Sequence, residues 1–108
     1  MKLPTEIFGD VVVVHTGEEV GEDQAPALES FLTSLDRSRV VVDLDGTETI
    51  DSAGLECLLA SQETLRANGG DVKISSSNNV NRSIFEITRL DQQLEVFESV
   101  IDAVKSFF

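Results

Sequence analysis

The sequence has 108 residues, the length of one ordinary domain, and 41% of them are apolar, enough for a single hydrophobic core. Eight Lys and Arg stand against 20 Asp and Glu, a formal net charge of -12, and a field of that sign repels nucleic-acid backbones and anionic lipid surfaces. The single cysteine, Cys57, and single histidine, His15, exclude an internal disulfide and a thiolate metal site and leave little material for Ser-His or Cys-His catalysis.

The longest apolar run, Val11 to Val14, is strand-sized, far short of a membrane span. Met1 and Lys2 lead into Leu3 and Pro4 with no secretory-type apolar stretch behind them. The expectation is a cytoplasmic protein with no membrane insertion and no nucleic-acid partner, folded as one domain over residues 1–108.

Leu3 to Phe8 reads as a short strand. Gly9-Asp10 is a turn signal and Val11 to His15 a β-branched strand, so the two predict a hairpin. Thr16 to Asp23 is polar and acidic and reads as a loop. Leu28, Phe31, Leu32 and Leu35 have the i, i+3, i+4, i+7 spacing of one helical face. That helix starts near Asp23 or Gln24, with Pro26 tolerated in its first turn, and ends at Asp36 to Ser38.

Arg39 to Leu44 is the next strand, and its three valines predict burial on both faces, as in a central parallel strand. Asp45-Gly46 turns the chain, and Thr47 to Asp51 reads as a connector anchored by Ile50. A second helix begins near Ser52, carries Leu55, Leu58, Leu59 and Leu65 at helical spacing, and stops at Asn68-Gly69-Gly70. Val72 to Ser75 is a strand. Val80, Ile84 and Ile87 mark a third helix ending near Leu90. Leu94 to Phe97 is a short extended piece. Ser99, with Asp102 three residues on, opens a last helix whose buried stripe is Val100, Ala103, Val104 and Phe107. The order β-β-α-β-α-β-α-β-α predicts an α/β fold with a mixed, mostly parallel sheet and right-handed crossovers.

The informative stretch is Ile50-Asp51-Ser52-Ala53-Gly54-Leu55, between a buried strand and an amphipathic helix. It places Ser52 at or next to a helix N-cap, near the sheet edge where open α/β folds bind ligands and partners. The plainest reading of Ser52 is the cap itself. Gly54 is out of place in an ordinary first turn, where it costs roughly 1 kcal/mol relative to Ala. A missing side chain lets another backbone come close, which fits a docking surface.

These residues resemble the signature of STAS domains, the family named for sulfate transporters and anti-sigma factor antagonists. The resemblance extends to Val40 through Leu44 before the motif and to the Leu-rich helix, its Gly stop and Val72 to Ser75 after it. It includes Val80 to Leu90, Val96-Phe97 before the final helix, and Gly17-Glu18 at the start of the first conserved loop. It implies a STAS fold and an anti-sigma factor antagonist, with Ser52 as the phosphorylation site. It further implies a partner-switching cycle that regulates transcription. The unphosphorylated protein binds an anti-sigma factor that is also a serine kinase, phosphorylation releases it, and a serine phosphatase resets it. The partner-binding residues implied are Asp51, Ser52, Ala53, Gly54, Gly17, Glu18 and Asp23. One departure is visible. The loop runs Gly17-Glu18-Glu19-Val20-Gly21-Glu22-Asp23, one residue longer than the family pattern, with Gly21 where an Asp is expected and Asp23 as its candidate replacement. Glu18, Glu19, Glu22 and Asp23 read either as a solvated acidic loop or as a face for a basic partner. A second stand-alone STAS class, the docking subunit of a lipid-transport ATP-binding cassette complex, also carries a hydroxyl residue before Ala-Gly-Leu. The full-length last helix favours the regulator.

The remaining polar residues read as structural. His15 ends a strand, and Cys57 reads as a small buried hydrophobe. Asp43, Asp45 and Asp51 match no metal-loop spacing, and no phosphate-binding glycine loop is present, so neither metal nor cofactor is expected. Ser52 as an enzyme nucleophile needs a base, for which only His15 is available, and it lacks the glycine-flanked elbow of serine hydrolases, so no catalysis is expected.

Overall fold

The computed structural model describes residues 1–108. Its principal sheet has five strands in the order β1-β2-β4-β6-β7: Thr5–Phe8, Val11–His15, Arg39–Asp43, Asp71–Ser75 and Val96–Phe97. The hairpin β1-β2 is antiparallel and every other neighbour pair is parallel. Pro4, which lacks an N–H, delays the start of β1 to Thr5, two residues later than the sequence reading, although its carbonyl still accepts from the His15 N–H at 3.0 Å.

Side-chain alternation along the central strands sorts their valines between two cores. Val12, Val14, Val40, Val42, Val72 and Ile74 meet α1 (Ala25–Thr33), α2 (Ser52–Ala67) and α3 (Asn79–Ile87) through Leu28, Leu32, Leu55, Leu58, Leu65 and Phe85. Val11, Val13 and Val41 on the other face meet Ala103 and Val104 of α4 (Val100–Lys105). A near-continuous valine run is therefore what two covered faces require, as its sequence implies.

The short helix α4 is fastened by Lys73 of β6. This lysine is only 7% exposed. Its Nζ donates to the Ser106 carbonyl at 3.2 Å and to Ser106 Oγ at 2.8 Å, where a cation suits a helix C-terminus. It also sits 4.4 Å from the centre of the Phe107 ring. Phe107 packs on the smaller core, whereas Phe108 is exposed.

Further features depart from the sequence reading: the last helix, expected at full length from Ser99 to Phe107, runs only Val100–Lys105 with Ser99 as its cap, so its length does not favour the regulator over the transporter-type subunit. Glu19–Val20 (β3) and Thr49–Ile50 (β5), expected as loop and connector, pair in parallel as a separate two-stranded sheet. Two residues are too few to show a periodicity. The third helix ends at Ile87, short of Leu90, because Arg89 turns left-handed (φ 62°) before a single 3-10 turn at Leu90–Gln92.

Phe85 is fully buried beneath α3. Phe85→Ala is expected to cost about 3–5 kcal/mol of unfolding free energy, measured by chemical denaturation.

Candidate functional site

The Ile50-to-Leu55 segment is built around one carboxylate. Asp51, not Ser52, is the N-cap of α2: its backbone is extended and its Oδ1 accepts the Gly54 N–H at 2.9 Å. Its other oxygen, Oδ2, accepts the Glu22 N–H at 3.0 Å, from the loop before α1. Asp51 therefore joins the start of α2 to the acidic loop. These backbone donors, Gly54 first and Glu22 second, hold its pKa below the ordinary value of 3.8.

With the cap supplied by its neighbour, Ser52 becomes the first helical residue, exposed to solvent. The N–H groups of a helix's first turn lack intrahelical acceptors and favour negative charge. Ala53 is half-buried beside it.

Gly54 is buried and faces inward. A Cβ at this position would lie 2.0 Å from the Val20 carbonyl oxygen. The close-approaching backbone thus belongs to β3 of the same domain and not to a docking partner, which corrects the expectation drawn from the sequence. The Val20 carbonyl also accepts the Asp51 N–H at 3.3 Å. The β3-β5 pair, Gly54 and Asp51 together form a support from which Ser52 projects.

Gly17 and Glu18 belong to the same structure. The Gly17 carbonyl accepts from Thr47 Oγ1 at 2.7 Å, and the Glu18 carbonyl accepts the N–H groups of Glu48 and Thr49 at 2.8 and 3.1 Å. Both residues are exposed, as is Asp23. Asp51 and Asp23 meet only through the loop, because the contact from that segment to Asp51 is made by Glu22. Gly21 lies against Asp51: a Cβ there would be 2.8 Å from Oδ2. A carboxylate grown from that point would start beside another, and the glycine avoids this.

Residues 17–23 and 45–56 contain no Lys or Arg, and Glu18, Glu19, Glu22, Asp23, Asp45, Glu48 and Glu56 give these two segments an excess of negative charge. Beside Ser52 a groove of about 730 Å³ runs between α1 and α2, floored by Ala25, Ala53 and Ala60 and bordered by Glu22, Glu29 and Glu56.

The other polar residues are committed internally. Asp43 Oδ2 meets His15 Nδ1 at 2.8 Å, and Asp45 Oδ1 accepts from the Ser77 N–H and hydroxyl. No three His, Cys, Asp or Glu side chains are grouped as a metal site. His15 Nε2 faces Glu6 at 2.6 Å, so neither ring nitrogen is directed at Ser52 as a base. Cys57 is buried, and burial pushes its thiol up to about 11, which makes it a poor nucleophile. No helix is long and apolar enough to cross a membrane.

The family model described as "Mlab, STAS domain" matches residues 5–100. Among solved structures, an anti-sigma factor antagonist from Mycobacterium paratuberculosis is 26% identical, with a TM-score of 0.84 over 97% of this chain and 92% of that one. A candidate anti-sigma factor antagonist from Thermotoga maritima is 19% identical and shares the fold at a TM-score of 0.86, over 96% and 92% of the two chains. The Bacillus cell fate determinant SpoIIAA in its phosphorylated form is 13% identical and shares the fold at a TM-score of 0.72, over 99% and 100%.

Two variants test the support. Gly54→Ala is expected to cost roughly 1–3 kcal/mol by overpacking against Val20, read by denaturation. Because the folded pKa of Asp51 is depressed, its contribution to stability is present above 3.8 and is lost as pH falls through the lower folded value. Asp51→Asn is therefore expected to unfold with a shallower dependence on acid than the parent, in thermal melts across that range.

Proposed function

The chain belongs to the STAS domain family, and from that premise we propose that it is a cytoplasmic anti-sigma factor antagonist controlled by phosphorylation of Ser52. In this reading residues 1–108 act as one STAS domain, a protein ligand with no catalysis of its own. The partner is an anti-sigma factor with serine kinase activity, bound while Ser52 is unmodified, and a serine phosphatase restores that state. The likeness to the M. paratuberculosis antagonist supports the partner class.

One observation carries the proposal. Ser52 is exposed at the first position of α2 while Asp51 performs the capping, so the hydroxyl is spared a structural duty. A phosphate there adds about 1.5 to 2 negative charges at pH 7. Within the domain the free first-turn N–H groups and the helix dipole accept an anion. Across a docked interface the same charges repel acidic groups and cannot be buried against apolar ones. Docking is broken while the fold is kept. Asp51, Ser52, Ala53, Gly17, Glu18 and Asp23 supply the exposed part of the docking surface, and Gly54 supports it from within.

The test is the affinity of the purified protein for kinase-type anti-sigma factors of the same genome, with phosphopeptide mapping after incubation with ATP. Ser52→Ala is expected to bind like the unmodified protein and to resist release. Ser52→Asp is expected to bind at least about tenfold more weakly, a loss of about 1.4 kcal/mol. Failure of ATP to place phosphate on Ser52, with transporter ATPase subunits copurifying from the native host, would overturn the reading in favour of the lipid-transport docking subunit.

A further inference from the structure

His15 closes a chain of side chains that crosses three strands. It is the last residue of β2. Its Nδ1 lies 2.8 Å from Asp43 Oδ2 on β4, its register partner. Its Nε2 lies 2.6 Å from Glu6 Oε1 on β1, the edge strand. Glu6 is paired with Val13, so it reaches His15 diagonally, within range of a long side chain.

Only an imidazolium carries a proton on both ring nitrogens. Both contacts are therefore hydrogen bonds when His15 is charged. A neutral ring has one N–H and presents a lone pair to the second carboxylate. The two carboxylates are not equivalent. The Asp43 side chain is 10% exposed, and its other oxygen already accepts the Asp45 N–H at 3.1 Å and Ser75 Oγ at 3.3 Å. The Glu6 side chain is 56% exposed and can be solvated. A buried carboxylate that loses a donor is penalised more than one that can turn to water.

We propose that His15 is a proton-operated clasp on the edge strand: charged, it ties β1 to the middle of the sheet through Glu6 and Asp43; neutral, it keeps Asp43 and releases Glu6. Glu6 from β1 and Asp43 from β4 are the charged groups that face the ring, and α4, packed on the same sheet face, sets the apolar Ala103 and Val104 against Val11, Val13 and Val41. Partial burial alone would lower the pKa of His15, but the two hydrogen bonds and the two negative charges outweigh it and raise it above 6.5. The clasp is therefore fully closed below 6.5 and opens as pH rises through the higher folded value. Thr5–Phe8 are exposed along their whole length, so β1 has no other side-chain anchor in the core.

The test is the titration of the His15 ring by NMR, read alongside amide exchange protection of Thr5–Phe8 and of the central strand β6. The midpoint is expected above 6.5. Protection in β1, corrected for the intrinsic pH dependence of exchange, is expected to fall about two- to fivefold through that midpoint, the scale of one exposed ion pair. Protection in β6 is expected to stay constant. Glu6→Gln, a change at an exposed position, is expected to lower the midpoint and to abolish the pH dependence in β1. A midpoint at or below 6.5, β1 protection that ignores the titration, or an unchanged pH dependence in Glu6→Gln would each overturn the clasp.

Discussion

The site depends on a carboxylate used at both ends. Asp51 places one oxygen on the Gly54 N–H of α2 and the other on the Glu22 N–H of the loop before α1. Charge-assisted bonds of this kind are roughly twice as strong as neutral ones. Here they connect two segments about 30 residues apart in sequence, and both bonds favour the ionised form. The first turn of α2 and the acidic loop are therefore set relative to each other before any partner arrives.

Ser52 stands on a base whose buried members are Val20, Thr47 and Gly54. Val20 offers its carbonyl to the Asp51 N–H and crowds Gly54 so closely that a Cβ there would force the backbone to shift. Thr47 and the N–H groups of Glu48 and Thr49 hold Gly17 and Glu18 in turn. In the proposed switch, modification of the exposed Ser52 hydroxyl is a local change of surface charge. The chemistry can change the charge of the surface without being absorbed by movement of the chain. A phosphate added there would meet no cation of residues 17–23 or 45–56.

The fold was largely legible because its signals are long and redundant. Valine runs marked the strands buried on both faces, leucine spacing marked α1 and α2, and Asn68-Gly69-Gly70 marked the end of α2. The site was legible only in outline. The motif located the start of α2, but residue types cannot distinguish Asp51 from Ser52 as the cap, since both side chains accept from first-turn N–H groups equally well. Gly54 signalled a close backbone approach without saying whose. The answer, Val20, lies 34 positions earlier, in a strand too short to leave a pattern. Lys73 and the His15 chain were hidden for the same reason. Their partners, Ser106, Glu6 and Asp43, are brought together by sheet register and by α4, which no local window contains.

The central claim is that the domain accepts a phosphate on Ser52 without rearranging, so that the modification acts on docking alone. Amide exchange of the stoichiometrically phosphorylated protein, compared with the unmodified one, tests it most directly. The account predicts unchanged or greater protection at Gly54 and Leu55 and along α2, with the Asp51 bridge intact. Loss of protection through the first turns of α2 would contradict it, because the phosphate would then be melting its own support.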